Sequence, residues 1–170
     1  MRLIALLLFL CASATLAPAS PLAGTWRIDV ERSTELSPWR SYDLVITIAG
    51  DHVTLDRRLA WGRRVYEDTT AISVGPTINE VPADFWPDNR HLGAYLGGDR
   101  TKRIRAEWLD DRRILRLSAD YVLDTQQGPR AVNTLSDYKV SPNGARLTLI
   151  ELRSTRPTPI TTSFTRVPSP

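Results

Sequence analysis

Three charged residues fall in phase with apolar ones along stretches of alternating sequence. Arg57 shares its parity with Val53, Leu55, Leu59 and Trp61, Asp68 with Tyr66, Thr70, Ile72 and Val74, and Glu151 with Leu147 and Leu149. In a β-strand, residues two apart point to the same face. If these faces line an interior, three ionisable groups stand among apolar walls. Unpaired charge there is costly, so each group must pair, stay wet or meet a ligand. A small-molecule pocket has this composition, mostly apolar with a few placed polar groups. A guanidinium such as Arg57 can hold a carboxylate or phosphate through two parallel hydrogen bonds. With the aromatic residues of the same pattern, the candidate lining is Arg57, Trp61, Tyr66, Asp68, Tyr121 and Glu151. The opposing reading puts the charges at strand ends near solvent, or takes the other face as inward. A slip of one residue inverts every assignment.

Other chemistry has little to stand on. His52 follows a turn, and His91 sits in Asp88-Asn89-Arg90-His91. Two distant histidines without a cysteine make a poor metal site. No Gly-x-Ser-x-Gly, phosphate-cradling loop or spaced nucleophile–base pair is present. No catalytic residue, metal or cofactor is therefore assigned. An enzyme reading would use Asp68 or Glu151 as acid–base groups, and carboxylates within hydrogen-bond reach of each other in an open cavity would favour it.

The elements that would position these residues read as short strands. Tyr42 to Ala49 places Leu44, Ile46 and Ile48 on one face, and Gly50-Asp51 is a two-residue hairpin turn of the II′ kind. His52 to Trp61 and Val65 to Val74 follow, joined through Gly62-Arg63-Arg64. Ile104, Ala106 and Trp108 alternate with Arg103, Arg105 and Glu107, while Leu115, Leu117, Ala119, Tyr121 and Leu123 share a face. Ala131–Val140 leads to Ser141-Pro142-Asn143-Gly144, a strong turn sequence, and then to Arg146–Arg153 and Ile160–Val167. Regular short strands predict an all-β fold. Closing an up-and-down order removes exposed edges. The expectation is an antiparallel up-and-down barrel of about 8–10 strands, forming one domain over residues 20–170. Residues 75–100 break the rhythm with three prolines, four glycines and the aromatic Phe85, Trp86 and Tyr95. This irregular segment reads either as a lid over the barrel mouth or as a plug under the sheet.

The N-terminus indicates an address. Met1-Arg2, the apolar run Leu3 to Leu10 and the small residues up to Ala19 have the order of a secretory signal peptide over residues 1–19. The run is too short for a transmembrane span, which needs about 20 apolar residues. Cys11, the one cysteine, leaves with that peptide in this reading. Leu10 precedes it where a lipoprotein needs a small residue, which argues against lipid anchoring. The expected location is periplasmic or secreted. Removing Arg2 leaves 21 basic against 19 acidic residues, and 20 of the chain's 22 basic residues are arginine. They are spread along the chain rather than gathered in a stripe, so no nucleic-acid partner is expected.

Gly24-x-Trp26, Ser136-Asp137-Tyr138 and Phe164-Thr165-Arg166 resemble the three signature regions of the lipocalins. The resemblance implies that Trp26 plugs the closed end of the barrel and that Arg166 packs across it, a cation–π contact of about 0.5–2 kcal/mol. The chain is also similar to small exported bacterial proteins described as lipocalin-like, whose role is unassigned. They share the opening Leu22-x-Gly24-x-Trp26-x-x-Asp29-x-x-x-Ser33, the turn Ser141-Pro142-Asn143-Gly144 and the ending Phe164-x-Arg166-Val167. The expectation is a barrel that binds a small apolar or amphipathic molecule, with Phe85, Trp86 and Tyr95 as lid. The alternative is a solid barrel, an envelope interaction module meeting anionic lipid or protein through Arg103, Arg105, Arg112, Arg113 and Arg116.

Overall fold

Alternating stretches become strands, and Gly/Pro/Asn signals become reversals. The computed structural model describes residues 20–34, 39–86 and 94–168. The expected signal peptide with Cys11, His91, and the side chains of Phe85 and Trp86 lie outside the described residues. The strands are β1 (Gly24–Asp29), β2 (Ser41–Ala49), β3 (His52–Trp61), β4 (Arg64–Ser73), β5 (Gly75–Pro82), β6 (Phe85–Trp86), β7 (Ala94–Tyr95), β8 (Thr101–Leu109), β9 (Ile114–Thr125), β10 (Gly128–Val140), β11 (Arg146–Arg153) and β12 (Ile160–Val167). Ten of them form one antiparallel sheet in the order β4-β3-β2-β1-β12-β11-β10-β9-β8-β5, curled into a nearly closed barrel. β6 and β7 pair separately. Ala49 faces His52, and Trp61 faces Arg64, across two-residue turns. Gly50 (φ +63°) and Gly62 (φ +58°) occupy the left-handed first positions of those turns.

One end of the barrel is sealed by the first and last strands. Trp26 on β1 stands opposite Arg166 on β12. Trp26 is fully buried, and its indole Nε1–H donates to Leu22 O at 3.0 Å. The Arg166 guanidinium lies over the indole, 4.1 Å from the ring centroid. It donates to three backbone carbonyls, those of Gly144 (2.8 Å), Ala23 (2.8 Å) and Pro21 (2.5 Å). Gly24 makes this approach possible. Its φ is +136°, and a Cβ there would stand 2.5 Å from Arg166 Nη1. Above the plug the apolar faces of the strands interdigitate. Leu44, Leu55, Leu115, Leu147 and Phe164 are each fully buried.

The sheet has two free ends, β4 and β5, which meet without a ladder between them. The side-chain amide of Asn79 bridges one end of this gap. Its Oδ1 accepts from Ser73 N–H (2.7 Å), and its Nδ2 donates to Ser73 O (2.9 Å) and Ile104 O (3.1 Å). Residues 75–82 therefore correct the expectation of an irregular segment, since they form β5, paired with β8. Their prolines, Pro76 and Pro82, masked the strand signal. Proline is admitted here because β5 borders the gap, where a missing N–H costs no ladder bond. Farther along the segment, Leu96 bridges to Leu123 on β9 and is buried.

Arg166→Ala removes the cation–π contact and three charge-assisted hydrogen bonds, and should lower the unfolding free energy in urea by about 2–4 kcal/mol. Arg166→Lys should recover only part, because an ammonium lacks the planar fork. Gly24→Ala should cost at least about 1 kcal/mol through backbone strain and displacement of Arg166.

Candidate functional site

The barrel narrows to solid packing at the Trp26 end and opens into a cavity of about 120 Å³ toward the other. Leu59, Ile104, Leu117, Ala119, Leu149 and Ile160 supply its apolar wall. Tyr42, Tyr66, Tyr121 and Tyr138, with Thr70, Thr134, Ser136 and Thr162, supply hydroxyls. Trp39 closes over the top and lies against Tyr66, with ring centroids 6.5 Å apart. Five charged side chains also face in: Arg57, Lys102 and Arg153, against Asp68 and Glu151.

Two of the three cations are neutralised in place. Arg57 on β3 stands opposite Asp68 on β4. Its Nη1 donates to Asp68 Oδ2 (2.8 Å) and Thr70 Oγ1 (2.9 Å), and its Nη2 donates to Tyr138 OH (3.3 Å). The other oxygen of the carboxylate, Asp68 Oδ1, is buried and has no hydrogen-bond partner among the described residues. Arg153, whose side chain is 4% exposed, donates to both Glu151 oxygens at 3.3 and 3.4 Å. Each carboxylate is thus held by an arginine. Among the described residues no hydrogen bond joins the two carboxylates. Burial raises the Tyr42, Tyr66 and Tyr138 phenols above their usual range, so all three stay protonated and can donate.

Lys102 is the remaining cation. It sits near the start of β8, in phase with Ile104 and Ala106, and forms no ion pair among the described residues. Its ammonium lies 5.5 Å from the centroid of the Tyr121 ring. Burial, reinforced by the Arg57 charge, pushes its pKa down to about 8.

Of the residues singled out from the sequence, Arg57, Tyr66, Asp68, Tyr121 and Glu151 line this cavity. Trp61 and Tyr95 do not. Trp61 is 38% exposed at the tip of the β3–β4 hairpin, beyond the last inward position of β3, and Tyr95 is 69% exposed. Lys102, Arg153, Tyr42 and Tyr138 were missed. Each lies on the inward parity of its own strand, so extending the alternation of Ile104 back by two residues reaches Lys102. Two residues forward from Glu151 is Arg153, and two back from Leu44 is Tyr42.

Because the folded pKa of Lys102 lies below its unfolded value of about 10.4, the unfolded chain binds more protons between the two. Stability should therefore rise with pH from about 8 to about 10.5, and this contribution should be lost as pH falls through 8. Lys102→Met, which keeps the stem and removes the charge, should be more stable than the parent at pH 7. The gap should close across that window in urea titrations at successive pH values.

No protein-family model matches the chain, and no curated protein matches it. Solved structures do. The chain is similar to the REP1-NXSQ fatty acid transporter, at 11% identity and TM-score 0.57, over 89% of this chain and 100% of that one. It is similar to secretory abundant heat soluble protein 4 from Ramazzottius varieornatus, at 11% identity and TM-score 0.53, over 88% and 97% of the two chains. It is also similar to human cRBP IV, at 20% identity and TM-score 0.50, over 88% and 100%. At these identities the likeness concerns the fold. The chain is an all-β antiparallel barrel, lipocalin-like in fold.

Proposed function

We propose that this is an exported protein that holds a small amphipathic molecule inside its barrel. The observation that carries the reading is the cavity, lined by apolar and charged side chains together, with one cation more than its carboxylates can neutralise. The apolar part of a guest would lie against Leu59, Leu117 and Leu149, and its polar group would point to Lys102 and Arg57. Resemblance to a fatty acid transporter supports a guest with an apolar part. Cavity size limits its length. At about 120 Å³ the space falls below the roughly 300–1,000 Å³ typical of drug-sized ligands, which favours a short or compact molecule. The N-terminal signal-peptide pattern supports export.

Native mass spectrometry of protein taken from its own cells should show a retained small molecule. Calorimetric titration with hexanoate should show one site. Ala119→Phe, which fills the cavity, should weaken that binding at least tenfold, with circular dichroism unchanged. Arg103→Ala, on the outer face, should leave it intact. Absence of both a retained molecule and any binding sensitive to Ala119→Phe would end the proposal.

A second reading concerns the outside, and it moves from the walls to the rim. Of the wall arginines, Arg103, Arg112, Arg113 and Arg116 are each engaged with a carboxylate, Arg116 by a bidentate pair to Asp137 at 2.8 Å. At the β3–β4 tip, by contrast, Arg63 and Arg64 make no ion pair among the described residues and flank exposed Trp61 and Val65. Arg40, exposed and also without an ion pair among the described residues, is tied to this hairpin by its N–H to Ala60 O (2.8 Å). Arginine beside tryptophan suits an anionic lipid surface. Vesicles rich in phosphatidylglycerol should co-sediment the protein and phosphatidylcholine vesicles should not. Arg63→Glu/Arg64→Glu should abolish the difference.

A further inference from the structure

We propose that Lys102 is a carbonyl-trapping amine, and that the guest of the barrel is a small aldehyde held on its Nζ as an imine. This rests on the reading above that the cavity takes a small molecule. Three observations point to it. The first is residue choice. The chain uses arginine at 20 of 22 basic positions, yet one of its two lysines faces the cavity. An arginine there would stay charged at every accessible pH, whereas a lysine can lose its proton and attack carbon. The second is pairing. Both internal arginines bind carboxylates, while Lys102 has an aromatic face beside it and no counter-ion among the described residues. The third is setting. The amine lines a cavity whose apolar side chains can hold the rest of an aldehyde.

The groups around the amine favour the reactive form. Arg57 on β3 and Arg153 on β11 oppose its charge, Asp68 on β4 and Glu151 on β11 favour it, and burial outweighs both pairs. With a pKa of about 8, about a quarter of the amines are neutral at pH 7.5, against about one in a thousand for an ordinary lysine. The neutral Nζ lone pair attacks the carbonyl carbon and forms the C–N bond, and the carbonyl oxygen becomes a hydroxyl. Its departure as water, carrying the two protons the amine gives up, leaves the C=N bond. No oxidant or reductant takes part. Tyr66 and Tyr138, kept protonated by burial, and the carboxylates of Asp68 and Glu151 share the cavity in which the proton must move.

The second lysine, Lys139, is exposed on β10 and serves as an internal control. The intact protein is incubated at pH 7.5 with one equivalent of hexanal, or separately of benzaldehyde, reduced with cyanoborohydride and mapped by mass spectrometry. Lys102 should carry the adduct at least tenfold over Lys139. Trapping at Lys102 should reach half-maximum near pH 8. Lys102→Arg should lose the adduct while keeping its circular dichroism spectrum, and Ala119→Phe should suppress it. Equal labelling of the two lysines, or labelling of Lys139 or the terminal amine alone, overturns the inference. If hexanoate binds in a manner sensitive to Ala119→Phe while Lys102 traps no aldehyde, the imine falls and the cavity reading stands. If neither occurs, both fall.

Discussion

A guanidinium laid on an indole joins the two ends of this chain, and the interior depends on it. Trp26 belongs to the first strand and Arg166 to the last, and their facing register fixes how β1 meets β12. Parity has a period of two, so that one junction helps decide which residues of every later strand point inward. The same arginine gathers the carbonyls of residues 21, 23 and 144, so the segment before β1 and the β10–β11 turn are bound into the seal. Gly24 leaves the space in which the guanidinium sits.

Sealing one end leaves the other to hold what does not pack. Toward Trp26 the inward faces are leucine, isoleucine, valine and phenylalanine, and they fill the space. Toward the mouth the same faces carry arginine, lysine, aspartate, glutamate and tyrosine. Charged groups cannot interdigitate as aliphatic ones do. They need partners at hydrogen-bond distance and keep their surroundings polar. Arg57–Asp68 and Arg153–Glu151 meet that need across and along strands. Lys102 does not, and this gives the cavity its excess positive charge.

The sequence made much of this legible, and its failures have identifiable causes. Alternation found β2, β3, β4 and β8 to β12 because each buries one face and wets the other. β5 escaped it because the strand borders a gap and tolerates Pro76 and Pro82, residues that elsewhere mark a loop. Trp61 follows the inward parity of β3 but sits where the strand has already left the barrel, so its ring lies in solvent under Arg64. Lys102 and Arg153 were passed over for the opposite reason. A basic residue at a strand end reads as a solvent-facing terminus, and only the neighbouring strands turn those ends over a cavity.

Local chemistry set what each segment could be. Periodicity dictated strands, turn residues dictated reversals, and the spacing of Gly24, Trp26 and Arg166 carried the seal. Those properties lie within a few residues of one another or in short motifs, so a linear reading captures them. Tertiary structure alone decided which charges are matched and which is left over. Arg57 and Asp68 are eleven residues apart, Arg57 and Tyr138 eighty-one, and the gap that Asn79 spans joins strands that share no ladder. Electrostatic pairing depends on distance in space. Only the curling of the sheet brings β3, β4, β8, β10 and β11 around one small volume and leaves Lys102 there with no carboxylate of its own.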